Sequence, residues 1–264
     1  MAHRTLQNEK MRISYREGIV EGERIFENHC HTRYEMIAVF EGNISIVADG
    51  ARYTLSAGEI IVIPPLLYHS VFAGDITYKR ATLLFDEACV PKEIEEDFLG
   101  KVKTCPVSSN AALLPILSSI KDIFAEEEIE KYTPLVECHL TEAIYVHTYK
   151  ESSGAKVKAN PTVKALTEYI DSHINEKLLL DDVAESLFLS KSTVSHIFKS
   201  EMKISVKQYI IQKKLAYAAR IISEGTPAAE AARLIGYDNY ANFYKMFKKV
   251  IGESPRAKKG TARI

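Results

Sequence analysis

Two stretches in the last third of the chain collect side chains that donate hydrogen bonds or carry positive charge. The first holds Lys191, Ser192, Thr193, Ser195, His196 and Lys199, and the second holds Asn239, Tyr240, Asn242, Lys245, Lys248 and Lys249. Only one acidic residue, Glu201, stands near the first. Phosphate oxygens need cations and donors, while base edges need paired donors and acceptors, so these sets have the chemistry to read double-stranded DNA.

The elements that must position them come as a repeat. Val183 to Ser205 (VAESLFLSKSTVSHIFKSEMKIS) has a counterpart in Ala231 to Ser254 (AARLIGYDNYANFYKMFKKVIGES). Each copy has an Ala in a first helix (Ala184, Ala232), a turn, and a second helix ending in Phe-Lys (Phe198-Lys199, Phe247-Lys248). Each then has a Ser six positions later (Ser205, Ser254). The Ala-to-Phe distance is 14 residues in one copy and 15 in the other. A small residue lets two short helices cross closely, and Leu187, Val194, Ile197 and Phe198 are expected to pack the crossing. Ser190 is the expected cap of the second helix in the first copy, and Asp238 or Asn239 in the second.

Charge divides the chain at the same place. Residues 155–264 carry 19 Lys and Arg against 11 Asp and Glu, a net of +8, which leaves 15 against 24, a net of −9, for residues 1–154. A basic domain beside an acidic one suits a nucleic-acid binder with an attached module of another purpose. The polar stretch ESSGAKVKAN reads as a linker at 151–160, between a domain at 1–150 and another at 161–264. Asn160 before Pro161 reads as a helix cap, followed by a stripe of Val163, Leu166, Ile170 and Ile174.

Residues 177–256 resemble the DNA-binding domain of AraC/XylS-type regulators through Gly236-Tyr237, Asn239, Phe243, Lys245, Phe247-Lys248, Gly252 and Ser254-Pro255. The resemblance implies seven helices, with a connecting helix near Val206 to Ser223 holding two recognition helices about one DNA turn apart. Three positions depart from the family pattern. The usual Gly after the first recognition helix is Lys203, the connecting-helix Arg is Lys214, and the Ser opening the second recognition helix is Ala241. Lys203 must therefore accept a left-handed backbone or the turn must differ.

In the N-terminal half, residues 12–86 alternate apolar and polar at period two, as in Glu35 to Glu41, Asn43 to Ala48 and Ile60 to Ile63, with a tight turn at Asp49-Gly50. This predicts an antiparallel β-domain. Helical periodicity follows at Leu113, Leu117, Ile120 and Phe124, and again at Leu135, Leu140, Ile144 and Tyr145, with Pro134 opening the second helix. These helices are expected to cover an open barrel edge. The fold class is thus α+β in two domains, the first a barrel with flanking helices and the second all-α.

Gly22, His29, His31, Glu35 and Gly42, then Gly58, Pro64 and His69, resemble the two cupin motifs, although the second motif's middle Gly is Leu66. The resemblance implies a small jelly-roll barrel. In cupin enzymes the positions matching His29, His31, Glu35 and His69 bind a divalent metal, and three imidazoles with a carboxylate suit iron, manganese or zinc. In AraC-type regulators the same barrel binds an organic effector or nothing. The expectation is that no metal or other cofactor is held, and that His31, Arg33, Glu35 and His69 orient a small-molecule effector at the barrel mouth. Tyr68 and Arg80 are weaker candidates, because strand parity is not fixed by one sequence.

The predicted function is a transcription regulator binding promoter or operator DNA, not an enzyme. By resemblance it is a homodimer through the helices of 111–150, with RNA polymerase as a further candidate partner. The alternatives are a metal-dependent cupin protein or metal sensor fused to a DNA-binding domain, and an effector-independent DNA-binding dimer. With 46% hydrophobic and 26% charged residues the chain should fold without staples. The N-terminus has no apolar export segment and no run approaches a membrane span, so the expected location is cytoplasmic. Cys30, Cys89, Cys105 and Cys138 are scattered without metal-ligand spacing, and are expected to be reduced and mostly buried.

Overall fold

The computed structural model describes residues 2–20, 24–29, 31–48, 51–73, 76–104, 107–150, 156–176, 178–252 and 254–255. The period-two segments become β1 (Ala2–Gln7), β2 (Met11–Val20), β3 (Arg24–His29), β4 (Tyr34–Glu41), β5 (Asn43–Ala48), β6 (Ala51–Ser56), β7 (Glu59–Ile63), β8 (His69–Ala73) and β9 (Ile76–Phe85). Two short strands follow later, β10 (Val107–Ser109) and β11 (Lys156–Ala159). They form two antiparallel sheets, ordered β1-β2-β9-β4-β7-β10 and β11-β6-β5-β8-β3. Gly42 turns β4 into β5 at φ 76°, where a Cβ would lie 2.3 Å from the carbonyl oxygen of Thr77, so this motif position requires glycine.

Alternation decides which side chains meet between the sheets. Ile37, Val39, Ile61, Ile63 and Tyr78 of the six-stranded sheet share one buried cluster with Ile44, Ile46, Leu55 and Val71 of the other. Among the described residues the two hydrogen-bonded sheets stay separate, so the expected barrel is an open jelly-roll sandwich. The outer face of the larger sheet, with Met11, Ile13, Met36, Ala38, Leu83 and Phe85, is covered by α1 (Glu95–Thr104), α2 (Leu113–Ile123) and α3 (Thr133–Tyr149). These helices therefore cover a sheet face and not the edge expected for them. Leu135, read as part of the buried stripe of α3, is 41% exposed, because the stripe runs through Val136, Leu140, Ala143 and Ile144. Cys89 is half-buried and Cys138 exposed on the outward side of α3, against the expected burial, while Cys30 and Cys105 lie outside the described residues.

The segment read as a linker contains β11, paired with β6 from Lys156 opposite Thr54 to Ala159 opposite Ala51. Residues 151–155 lie outside the described residues, as do Asp49 and Gly50 of the expected turn, although Ala48 and Ala51 on either side of it are paired.

The helical half comprises α4 (Pro161–Ser172), α5 (Leu180–Ser186), α6 (Lys191–Met202), α7 (Val206–Ser223), α8 (Ala228–Leu234) and α9 (Tyr240–Ile251). Six of the seven expected helices thus lie among the described residues. Asn160 caps α4 by accepting from the N–H groups of Thr162 and Val163. One core gathers Val163, Leu166, Val183, Val194, Phe198 and Tyr209, and a second gathers Leu215, Ala219, Ala232, Phe243 and Phe247. Helix α7 contributes to both; its 18 residues make it about 27 Å long. The first core continues onto the outer face of the five-stranded sheet through Val47, Tyr68 and Phe72, and Leu66 packs against the second. Among the described residues no helix is long and apolar enough to cross a membrane.

Candidate nucleic-acid interface and histidine cluster

Each half of the repeat is a helix-turn-helix pair. Ala184 and Ala232 are 3% and 1% exposed where the short helices cross. Ser190 caps α6 by accepting from Thr193 N–H at 3.1 Å, and Asn239, not Asp238, caps α9 by accepting from Asn242 N–H at 3.1 Å. The extra residue of the second copy therefore lies in its turn. Lys203 follows α6 at φ 57° and Gly252 follows α9 at φ 84°, so the turn is kept and Lys203 takes the left-handed backbone.

Of the residues read as DNA-facing, Ser195 is half-buried and the others are exposed. Three of those are already engaged. Lys191 pairs with Asp181, the Thr193 hydroxyl bonds that of Ser190 at 2.8 Å, and the Asn239 carbonyl oxygen is used by the cap. Ser192, His196, Lys199, Asn242, Lys245 and Lys248 project side chains with no partner among the described residues. Tyr244, four residues after Tyr240 on α9, is 36% exposed and joins this face, although of the two tyrosines only Tyr240 was expected there. Lys214 binds the two units together from α7. Its buried ammonium donates to the carbonyl oxygens of Glu176 (2.5 Å) and Ile235 (3.1 Å), and burial pulls its pKa down.

The second constellation lies between the sheets. His29 and His69 are cross-strand partners on β3 and β8, His31 sits just after β3, and Glu35 comes from β4 of the opposite sheet. Their ligand atoms all lie within 4.8 Å of one another. Glu35 is 1% exposed, with one carboxylate oxygen 2.6 Å from His69 Nε2 and 2.9 Å from His31 Nε2. Burial alone would raise the Glu35 pKa, but the hydrogen bonds and charge of His31 and His69 outweigh it and hold the group well below the usual carboxylate range.

Backbone carbonyls fix the ring tautomers here. His31 Nδ1 lies 2.8 Å from the carbonyl oxygen of Arg33, and His69 Nδ1 lies 3.0 Å from that of Leu67, so both Nδ1 atoms must donate. A neutral ring then turns the Nε2 lone pair toward a carboxylate oxygen, which is repulsive. The arrangement is favourable when the ring is protonated at both nitrogens or when a cation stands between imidazole and carboxylate. The donor set thus fits a divalent metal. Arg33 does not join the cluster as expected: its guanidinium pairs with Asp86 at 2.9 Å and donates to the Glu9 carbonyl. Tyr68 points away from it, into the helical half.

Beside the cluster is a cavity of about 360 Å³ lined by Arg12, Ser14, Arg16, His29, Glu35, Thr82 and Leu84. The sheet register places Arg12, Ser14 and Arg16 opposite Leu84, Thr82 and Arg80, all on the inner face. Arg12 and Arg16 were not singled out from the sequence, although their alternation with Met11, Ile13 and Tyr15 is visible there.

Two domain families match the chain. A helix-turn-helix domain family matches residues 183–259, and a cupin domain family matches residues 15–76. The uncharacterized HTH-type transcriptional regulator YdiP of Escherichia coli (strain K12) is 23% identical over 244 residues, 86% of this chain and 79% of its own. YobQ of Bacillus subtilis (strain 168), of the same description, is 24% identical over 243 residues, 90% of each chain. The arabinose operon regulatory protein of Escherichia coli (strain K12) is 30% identical over 95 residues, 35% of this chain and 32% of its own. Among solved structures, ToxT from Vibrio cholerae O395 is 9% identical, with a TM-score of 0.42 over 97% of this chain and 99% of that one.

Tandem helix-turn-helix units on one connecting helix, joined to a β-sandwich, define a DNA-binding transcription regulator. The chain carries a cupin domain ahead of a helix-turn-helix domain and is similar over most of its length to HTH-type transcriptional regulators.

Proposed function

We propose that α6 and α9 read successive major grooves of a promoter site, through Ser192, His196 and Lys199 in one unit and Asn242, Lys245 and Lys248 in the other, and that a small effector bound between the sheets controls that reading. In this reading the chain has no enzymatic role, acts in the cytoplasm, and divides into an effector half at 1–150 and a DNA-binding half at 161–264. It works as a homodimer through the outward faces of α2 and α3, which carry the exposed Leu114 and Leu135, and RNA polymerase is its further partner. The observation that carries the reading is the pair of exposed, cation-rich helices held on α7.

Coupling requires that the effector site touch an element with two arrangements. Residues 64–69 have the position for it. Leu66 N–H donates to the His31 carbonyl at 2.7 Å, the Leu67 carbonyl holds His69, and the Tyr68 ring meets Tyr209 of α7 edge-on at 6.3 Å. Operator fragments selected from random DNA test the reading. Lys245→Ala and His196→Ala should each weaken binding, and the wild-type affinity should fall steeply with salt. Unchanged binding by both variants, with a flat salt dependence, would overturn it.

The compact His29, His31, Glu35 and His69 set favours a second reading, in which those four residues hold a divalent ion and the protein responds to metal. Such an ion would supply a Lewis-acid anchor for an oxygen ligand. Elemental analysis after loading with iron, manganese or zinc should then give one ion per chain, lost in His29→Ala. A metal content unaffected by that substitution excludes this reading.

A further inference from the structure

We infer that the two recognition helices read different base pairs, and that α9 selects thymine in the major groove by its C5-methyl group; this rests on the DNA reading above and names the sequence class at one half of the site. The two helices share one frame. Their caps, Ser190 and Asn239, both stand eight residues before the core phenylalanines Phe198 and Phe247, and the left-handed residues Lys203 and Gly252 both stand five residues after them. Each position in one helix therefore has a definite counterpart in the other. Lys199 corresponds to Lys248, and both are exposed cations. Three counterparts differ in kind: Lys191 corresponds to Tyr240, Ser192 to Ala241 and Ser195 to Tyr244.

Each of these changes replaces a small hydroxyl or a cation by apolar surface, and in α9 that surface stays in the open. Tyr240 is 41% exposed, Tyr244 36%, and Ala241 is exposed. The core does not call for them, because Phe243, Phe247 and Ile251 already fill the buried side of α9. Tyr240 only leans on Phe243, with ring centroids 5.7 Å apart. Exposed apolar surface gathered in one place marks a binding site. Its surroundings say what binds: Lys245 and Lys248 stand four residues after Ala241 and Tyr244, one turn further along the same faces of the helix. The occupant must therefore bring an apolar group beside negative charge. The major-groove edge of a thymine does so, since its methyl group projects between rows of phosphates, and alanine and aromatic rings are the side chains that fit that methyl. A G·C pair offers no such group. On α6 the corresponding face presents Ser192 and His196, which suit the polar edges of bases.

The test takes the operator fragment that the full-length protein selects from random DNA and replaces its thymines one at a time by deoxyuridine, which removes the C5-methyl group and keeps every hydrogen-bonding atom. In one half of the site a replacement should weaken binding about fourfold, the worth of one buried methyl expressed as a ratio of affinities. The salt dependence should stay as steep as before, because no phosphate contact is lost. In the other half the same replacement should leave affinity unchanged. Ala241→Ser and Tyr244→Ser, which give α9 the residues of α6, should each reduce the preference for thymine over deoxyuridine, whereas Ser192→Ala should not. Both replaced side chains of α9 are exposed, and the deoxyuridine series on wild type needs no variant at all. Equal affinity for every substituted operator, equal losses in both halves, or an undiminished methyl preference in both α9 variants would overturn the inference. The unmodified operator decides the DNA reading separately: steeply salt-dependent binding there, with no response to deoxyuridine, sinks this inference alone.

Discussion

Lys203 and Gly252 stand at the same place in the two helix-turn-helix units, five residues after Phe198 and Phe247, and both adopt the left-handed backbone that ends the second helix. Phe188 and Gly236, each four residues after the crossing alanine, form a second such pair, at φ 55° and φ 83°. The first unit thus carries side chains where the second carries glycine. A left-handed conformation costs an L-residue roughly 1–2 kcal/mol relative to glycine, partly offset by the greater freedom of glycine in the unfolded chain.

Lys203→Gly and Phe188→Gly should therefore each stabilise the protein by about 1 kcal/mol. The Phe188 side chain is 98% exposed, so the core loses nothing by its removal. Urea unfolding should show a higher midpoint with an unchanged slope for both. A lowered midpoint for either would mean that its side chain makes a stabilising contact.

Lys214 predicts a different response. Its ammonium satisfies two backbone carbonyls, of Glu176 and Ile235, in a buried position. Lys214→Met leaves both acceptors without that donor and should cost about 2 kcal/mol, whereas Lys214→Arg, which restores a donor, should cost clearly less. Equal losses in thermal denaturation would show that hydrogen bonding at this position is not what matters.

His147 makes stability depend on pH. Its ring is buried against Phe98, with Nδ1 2.6 Å from the Ser108 hydroxyl, and desolvation, helped by nearby Lys101, pulls its pKa down to about 4. The unfolded chain takes up this proton near pH 6.5 and the folded chain does not, so the contribution is complete above 6.5 and is lost as pH falls toward 4. Wild type should lose about 2 kcal/mol between pH 7 and pH 5 that His147→Gln does not lose. Parallel pH profiles for the two proteins would remove His147 as the cause.

The repeat, its caps and the cluster ligands were legible in the sequence because each has a local signature: Ser190 before a helix, Phe-Lys at fixed spacing, His29 two residues before His31. Orientation was not legible where an element is buried on both faces. On β2, Met11, Ile13 and Tyr15 pack under the helices while the alternate residues line a cavity, Ser14 buried, Arg16 half-buried and Arg12 exposed, so alternation alone does not say that the polar side of this strand faces the other sheet. Arg33 was expected at the barrel mouth, but long-range pairing with Asp86 decides its direction. Helix α1 and strand β11 carry weak signals, because among its described residues α1 buries only Phe98 and Val102 fully, and because KVKA is too short and charged to announce a strand.

Leu66 is the third non-glycine residue with positive φ, at 66°, and it fills the place of the cupin motif's middle glycine. Unlike Phe188 it is half-buried, packed like Tyr217 and Ile211 against the second helical core, while Tyr68 is 2% exposed against Tyr209. Strain of this kind persists where surrounding contacts hold it, here the contacts between the sandwich and α7. Leu66→Gly should therefore bring no gain in stability, because lost packing offsets the relieved backbone. Tyr68→Ala should cost roughly 3 kcal/mol, and the loss falls on the junction of the two halves rather than on either core. Calorimetry should show one transition for wild type and two separated transitions for Tyr68→Ala, because the halves then unfold independently. A single transition in the variant, shifted as a whole, would mean that β11 and the remaining contacts suffice to couple them and that residues 64–69 are not the main connection.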